Sequence, residues 1–406
     1  MSDFDVVVIG AGAAGVAAAR RLQSARRIVR IIEARNRVGG RAFTAHNETG
    51  LPIELGCGWL HSADENELAR LVPTVGLTLD KTPPVWRSQL RDIGFPPVDQ
   101  RDWSATVMRF FDRMGAAESE PDQPAAQLLE PGNRWNPLLH AISTYMNGVE
   151  LDGLSVHDFG YYHDSGVNWR VREGYGTLIT RLAVGLDIAF ECPATVIDHT
   201  DKTVCVETPR GTLRAQAVII TVPTGVIAAG VPRFNPALPD KIEAAARLPL
   251  GLADKLFLRL DEAEEFPPDS HLYGRTDRTR IGSYHLRPFG RPLIEVYFGG
   301  ALARDLEAEG LAGFAAFAAD ELAGLLGNGI RTRLHPITVS AWAHDPNARG
   351  SYSHALPGQA GARRSLAAPA GRLYFAGEAC SPDVFSTAHG AWRSGAAAAE
   401  AFLSSG

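Results

Sequence analysis

The chain opens on β-branched apolar residues, Val6-Val7-Val8-Ile9, closed by Gly10. A run this short with no polar alternation predicts a buried parallel strand. Residues 13–22 follow as a helix, and 28–33 as a second strand that ends in an acid, Glu33. Past residue 80 the texture changes. Prolines in 82–84, 95–97 and 120–131 predict loops, and between them 103–114 and 138–146 carry apolar residues at helical spacing. The aromatics here (Trp103, Phe110, Phe111, Trp135, Tyr145) are expected in a local core. Gly174 turns into a further helix. Residues 195–198 and 203–208 predict strands joined at Asp201-Lys202, and 217–222 another buried strand ended by Pro223. From about 250 to 340, segments 254–260 and 293–298 alternate like sheet strands with one buried face, and 305–326 reads as an amphipathic helix. A last strand at 372–375 leads through Gly377-Glu378 to an alanine-rich helix reaching about Leu403. Parallel-sheet elements at both ends, with two excursions between, make the fold class α/β.

The first turn carries chemistry. Gly10-Ala11-Gly12-Ala13-Ala14-Gly15 is G-x-G-x-x-G between a strand and a helix, the context that motif requires. Gly10 allows the tight turn, Gly12 lets the backbone approach a pyrophosphate, and Gly15 lets helix and strand pack closely. The helix N-terminus at Ala13 and Ala14 offers free N–H groups to phosphate. Glu33, followed by Ala34 and Arg35, stands where a carboxylate accepts ribose hydroxyls of an adenosine half. The motif alone leaves NAD and FAD open. Arg37-Val38-Gly39-Gly40-Arg41 adds a glycine loop between two cations, in which Arg41 would put charge on a diphosphate that Gly39 and Gly40 keep close.

Together with Gly56-Cys57-Gly58-Trp59-Leu60-His61, and with Gly377-Glu378 and 385–391 near the other end, this loop resembles the flavin-dependent amine oxidase family: monoamine oxidases, polyamine oxidases, lysine demethylases and L-amino-acid oxidases. The resemblance covers nearly all of the chain outside 85–170. It implies a Rossmann-like, glutathione-reductase-type FAD-binding domain from 1–80, 171–250 and 341–406. Interleaved with it is an α+β substrate domain from 81–170 and 251–340. FAD is the implied cofactor. Gly56, Cys57, Gly58, Trp59 and Trp342 fall in stretches beside it, Val196 would meet the adenine side through its backbone, and Glu378 would accept from ribityl or ribose hydroxyls. The N-terminus of the last helix, at Thr387 and Ala388, would point at the flavin pyrimidine ring and stabilise the negative charge of the reduced form.

The resemblance also assigns the reacting side. Lys255, in Gly251-Leu-Ala-Asp-Lys255-Leu-Phe-Leu, matches a lysine that holds a water against flavin N5 and is linked to reoxidation or imine hydrolysis. By its pattern alone it would be a solvent-facing strand residue. Tyr352 matches one wall of an aromatic cage, whose electron-rich faces suit an amine. The other wall falls at Thr387, unlike monoamine oxidases and similar to polyamine oxidases and lysine demethylases. Ser351 stands where monoamine oxidases bond FAD through cysteine, so non-covalent FAD is expected. His61 matches a histidine near the substrate of polyamine oxidases; otherwise a lone histidine after a tryptophan is structural. The implied reaction is hydride loss from a polyamine or related amine to the flavin, imine hydrolysis to an aldehyde, and reoxidation by O2 to hydrogen peroxide. A monoamine oxidase, an L-amino-acid oxidase using Arg170, Arg172 or Arg287 for a carboxylate, and a flavin-holding interaction scaffold with little turnover are the alternatives.

Bulk properties narrow the partners. The 406 residues suffice for two domains, and a net charge of −6 argues against a nucleic-acid surface while suiting a cationic substrate only weakly. The four cysteines, Cys57, Cys192, Cys205 and Cys380, show neither metal nor disulfide spacing, so reduced thiols and no metal are expected. The alanine-rich run from Ala312 is broken by Asp320 and Glu321, and Met1-Ser2-Asp3-Phe4 runs directly into a strand. A soluble cytoplasmic enzyme is expected, its oligomeric state open.

Overall fold

A computed structural model describes residues 2–86 and 89–405. Its organising unit is a parallel sheet. In spatial order the strands are Leu373–Phe375, the C-terminal half of Gly211–Ile220, Phe4–Ile9, Val29–Ile32 and Ile188–Ala189. Val6, Val7 and Val8 are fully buried, as a strand covered on both faces requires. The opening helix, Ala13–Ser24, crosses the last helix, Ala388–Ser404, so closely that a Cβ on Gly395 would lie 2.0 Å from the Ala14 carbonyl oxygen. Small residues on both helices permit this approach and bring the two ends of the chain together. Because the five strands are parallel, their C-terminal ends deliver Gly10, Glu33, Thr221 and Gly377 to one edge, the place where open parallel sheets hold ligands. The N-terminal half of Gly211–Ile220 turns antiparallel to Val204–Thr208, extending the sheet to Val196–Asp198 and Arg233–Asn235.

The second sheet is antiparallel, in the order Ser270–Tyr273, Ser283–Leu286, Leu293–Gly299, Ala253–Leu260 and Leu334–Val339. Two expectations are corrected here. Ala253–Leu260 does not alternate: seven of its eight residues are buried. One face carries Leu256 and Leu258 against Phe298, Phe314 and Leu322, and the other packs Phe257 on Ile53 of the strand Pro52–Glu54. Lys255 therefore does not face solvent. The helix that follows begins at Gly300, runs to Leu326, and is interrupted at Gly310 (φ 66°, ψ −163°), a positive-φ conformation that glycine adopts readily.

The inserted segment forms the helices Pro97–Ala117 and Asn136–Asn147 around Trp103, Phe110 and Trp135. Phe111, expected in that core, is 40% exposed and stacks on Phe159. No helix among the described residues is long and apolar enough to cross a membrane.

Candidate active site

The glycine loop at the sheet edge is shaped for an anion. Gly10 takes φ 104°, and a Cβ on Gly15 would lie 1.9 Å from the Gly10 carbonyl oxygen, so both positions need glycine for the backbone itself. Gly12 differs: a Cβ there would meet only the Gly39 carbonyl, 3.9 Å away, and at Gly377 it would meet nothing within 4 Å. At Gly12 the missing side chain leaves space outside the fold, whereas Gly377 combines open space with φ 135°, which by itself calls for glycine. No side chain caps the opening helix at Gly12, so the first N–H groups, at Ala13 and Ala14, are left for a ligand. Gly39 hands its N–H to the Ala11 carbonyl and Gly40 packs on Gly12, which locks the two glycine loops together. Glu33 is buried and accepts from the Ala11 and Arg35 N–H groups at 2.8 and 2.9 Å. Of the roughly four lone-pair positions of a carboxylate, two remain for hydroxyls. Ala34 is half-buried, and the Arg35 guanidinium reaches Asp345 at 2.7 Å. Val196 lies between Glu207 and Arg233 in the sheet extension on this side. The donors, the open glycines and the half-used acid fit the pyrophosphate and ribose of FAD.

Arg41 and Glu378, 337 residues apart, close the site from the other end. The Arg41 guanidinium donates to Glu378 at 2.9 Å and to the Ser351 carbonyl at 2.7 Å. Glu378 also accepts from the Ser353 N–H and hydroxyl and from the Ser386 N–H, at 3.2, 2.6 and 3.0 Å. Burial pushes its carboxyl upward, but Arg41, the Ser353 hydroxyl and Arg363 outweigh this and hold it below its ordinary value. This corrects the expectation that Glu378 accepts from ribityl or ribose hydroxyls. All four of its acceptor positions are taken by the protein, and its work is to clasp three segments. A cavity beside this clasp is lined by Arg41, Thr221, Thr224, Gly377, Glu378 and Cys380. Ser351 is spent structurally, its hydroxyl exchanging hydrogen bonds with both backbone groups of Ala253.

The predicted reacting side chains come together across the clasp. Lys255 and Tyr297 are direct partners in the antiparallel register, with the ammonium 4.8 Å from the ring centre. Gly58 is open toward this lysine: a Cβ there would lie 3.1 Å from Nζ. Lys255 forms an ion pair with Glu295 at 2.9 Å but has no well-aligned hydrogen bond, which leaves buried N–H donors for a group in the cleft. Burial disfavours the ammonium, yet Glu295, Tyr297 and Glu54 together raise its pKa above the ordinary lysine value. Tyr352, paired with the strand Leu250–Gly251, donates its hydroxyl to the Tyr145 carbonyl and feels both Tyr297 and Lys255. Ser386 donates to the Ser353 carbonyl, which joins the Tyr352 strand to Thr387. Thr387 caps the last helix, accepting from the Gly390 N–H at 3.0 Å, with Ala388 the first helical residue.

His61 sits at the far side. Its Nδ1 is 2.6 Å from the Asn168 side-chain oxygen, and burial lowers its pKa. Trp59 lies edge-on to Trp86 with Arg170 over its face, and Trp342 donates its indole N–H to the Leu55 carbonyl. Gly56 is pressed on the Arg41 carbonyl, where a Cβ would lie at 1.8 Å. Cys57 is a free thiol; burial, then Glu54, push its pKa up to about 12. The arginines suggested for an amino-acid carboxylate are engaged elsewhere. Arg170 pairs with Asp269 and Asp80, Arg172 with Asp80, and Arg287 with the Phe266 and Gly290 carbonyls.

Sequence reasoning missed Glu295, Tyr297 and Asn168. The first had a signal: Glu295 is the one charged residue in an apolar strand, and it is buried most cheaply where a neighbouring strand brings an opposite charge.

The family described as flavin containing amine oxidoreductase matches residues 13–93 and 130–403, taking in 130–170, where the motifs alone carry no resemblance. Polyamine oxidase 5 of Oryza sativa subsp. japonica is 32% identical over 432 residues, covering 97% of this chain and 87% of its own. Polyamine oxidase 2 of Arabidopsis thaliana is 32% identical over 434 residues with the same shares. A solved structure of putrescine oxidase bound to putrescine superposes with a TM-score of 0.81, at 18% identity over 99% of both chains. With two glycine loops at one sheet edge and a lysine–tyrosine pocket opposite them, the chain belongs to the flavin-containing amine oxidoreductases and is an FAD-dependent, amine-oxidising enzyme.

Proposed function

We propose that the substrate is a polyamine or a related secondary amine, that it is cleaved to an aldehyde and an amine, and that O2 is the final acceptor, giving hydrogen peroxide. What supports the substrate class is the resemblance, which makes Tyr352 one wall of the amine site and puts Thr387, the N-cap of the last helix, in the place of a second aromatic wall. A threonine leaves room for a substituted nitrogen that a second ring would crowd. The similarity to polyamine oxidases over 97% of the chain supports the same reading.

FAD, when bound, supplies a two-electron acceptor for the hydride on the carbon next to the amine nitrogen. The remaining work belongs to the protein. The Tyr352 face receives the amine and excludes water from one side. The last helix, capped at Thr387, would offer its N-terminal N–H groups and positive end to the negative charge of the reduced cofactor. Lys255 offers N–H donors beside Gly58, to hold a water. His61, fixed by Asn168, is half-buried and held neutral, and can accept from a distal amino group. The engagement of Arg170, Arg172 and Arg287 with internal partners disfavours an amino-acid substrate.

Purified protein should show flavin absorbance and produce peroxide with spermine or spermidine faster than with putrescine, simple monoamines or amino acids. Turnover of monoamines alone would move the reading to a monoamine oxidase. Flavin bleaching without peroxide would remove O2 as acceptor.

A further inference from the structure

Lys255 is the inner end of a chain of charges of alternating sign. Its ammonium is 2.9 Å from one oxygen of Glu295, whose other oxygen is 3.5 Å from His285 Nδ1. His285 Nε2 is 3.0 Å from Asp269, which takes the Arg170 guanidinium at 2.7 Å. Arg170 is 3.7 Å from Asp80, which reaches the half-exposed Arg172 at 3.4 Å. Successive antiparallel strands carry Lys255, Glu295 and His285, so the sheet register sets the spacing. Up to Arg172 no side chain of the chain exceeds 17% exposure.

A buried charge with one poor partner is costly, and each interior member here has an opposite charge on both sides. The groups facing Lys255 are Glu295 and Tyr297 from the next strand, Glu54 from Pro52–Glu54, the Cys57 thiol just after it, and Tyr352. Burial pushes the Glu54 carboxyl up to about 7, so it is a weak anion at neutral pH. For Glu295 burial acts in the same direction, but Lys255 and His285 outweigh it and hold the carboxyl at about 2. Glu295 is therefore the counter-ion of Lys255. Asp269 and Glu295 face His285 from either side, and they raise its pKa against burial.

We propose that Glu295, backed by His285, is a positioning residue that keeps Lys255 an ammonium across the working pH range and aims it at the gap beside Gly58. The proposal rests on the assignment of Lys255 to the reaction site above. Such a lysine donates hydrogen bonds and positive charge to the cleft and takes no proton from the substrate, which must arrive or become neutral by other means. It is neither base nor nucleophile.

The test is Glu295→Gln in the flavin-loaded enzyme, with flavin midpoint potential and the two half-reactions followed against pH. The expected result is an ionisation that the parent enzyme lacks between about pH 7 and 10. Above it the potential falls and the lysine-dependent half-reaction slows about tenfold per pH unit. That ionisation should vanish in Glu295→Gln/Lys255→Met, and Glu295→Asp should restore the parent profile. Profiles and potentials that superimpose on the parent, or an ionisation that survives removal of Lys255, overturn the proposal. If Glu295→Gln does not retain flavin, Glu295→Asn should produce the same ionisation, and its absence overturns the proposal equally. Lys255→Met alone separates the two levels: parent-like half-reactions sink the assignment of Lys255 itself. A slowed Lys255→Met beside an unchanged Glu295→Gln sinks only the role of Glu295.

Discussion

Two glycines of the first loop do different jobs, and substitution separates them. Gly15→Ala puts a methyl 1.9 Å from the Gly10 carbonyl oxygen and should cost about 1–3 kcal/mol in folding, read by denaturant unfolding. Gly12→Ala meets only an oxygen at 3.9 Å, so stability should hold while flavin content in the absorbance spectrum collapses, because the methyl fills the space the pyrophosphate needs. Equal stability losses for the two would contradict the cradle. These positions were legible in the sequence because the constraint is local: six consecutive residues, one turn, one helix start. Glu378 was legible as a buried acid after a glycine but not in its role, since three of its four donors come from Ser353 and Ser386, and the fourth from Arg41 at the other end of the chain.

At the scale of elements, periodicity located the strands and helices of the parallel sheet well and misjudged the second sheet. Alternation in 254–260 suggested one wet face, but the helix Gly300–Leu326 covers one side and the strand Pro52–Glu54 lies against the other. A short helix of the inserted segment, Val156–Gly160, is tied to the C-terminal segment by a buried bidentate pair, Arg363 to Asp158 at 2.6 and 2.7 Å, with Asp158 also accepting from the Ala355 N–H. Asp158→Ala would strand a buried guanidinium and should cost about 3–5 kcal/mol. Thermal unfolding would check this, and a loss below about 1 kcal/mol, typical of exposed pairs, would show the pair to be solvated. The same variant should loosen Ser353, which Arg363 also holds, and so weaken flavin retention.

The whole molecule has an acid limit set by buried neutral histidines. Burial lowers His354 to about 4 and, with His61 and Arg393 nearby, His389 to about 3. Both values lie below that of the unfolded chain, near 6.5. Between these values the unfolded state binds more protons, so stability is full above about pH 6.5 and lost as pH falls toward 4 and 3. The loss should be on the order of a few kcal/mol per histidine, visible as a falling melting temperature, and His389→Gln should flatten the curve; an unchanged curve would mean that His389 is hydrated. The sequence by itself determined the α/β frame and the phosphate-binding edge, because short contiguous motifs with their own backbone requirements specify them, whereas Lys255 and Tyr352 were singled out only through the family resemblance. Only the tertiary structure decided which charges those residues meet: Glu295 against Lys255, four protein donors on Glu378, and acids or carbonyls on every arginine suggested for a carboxylate. Those encounters depend on strand register and on segments hundreds of residues apart, and no local pattern encodes them.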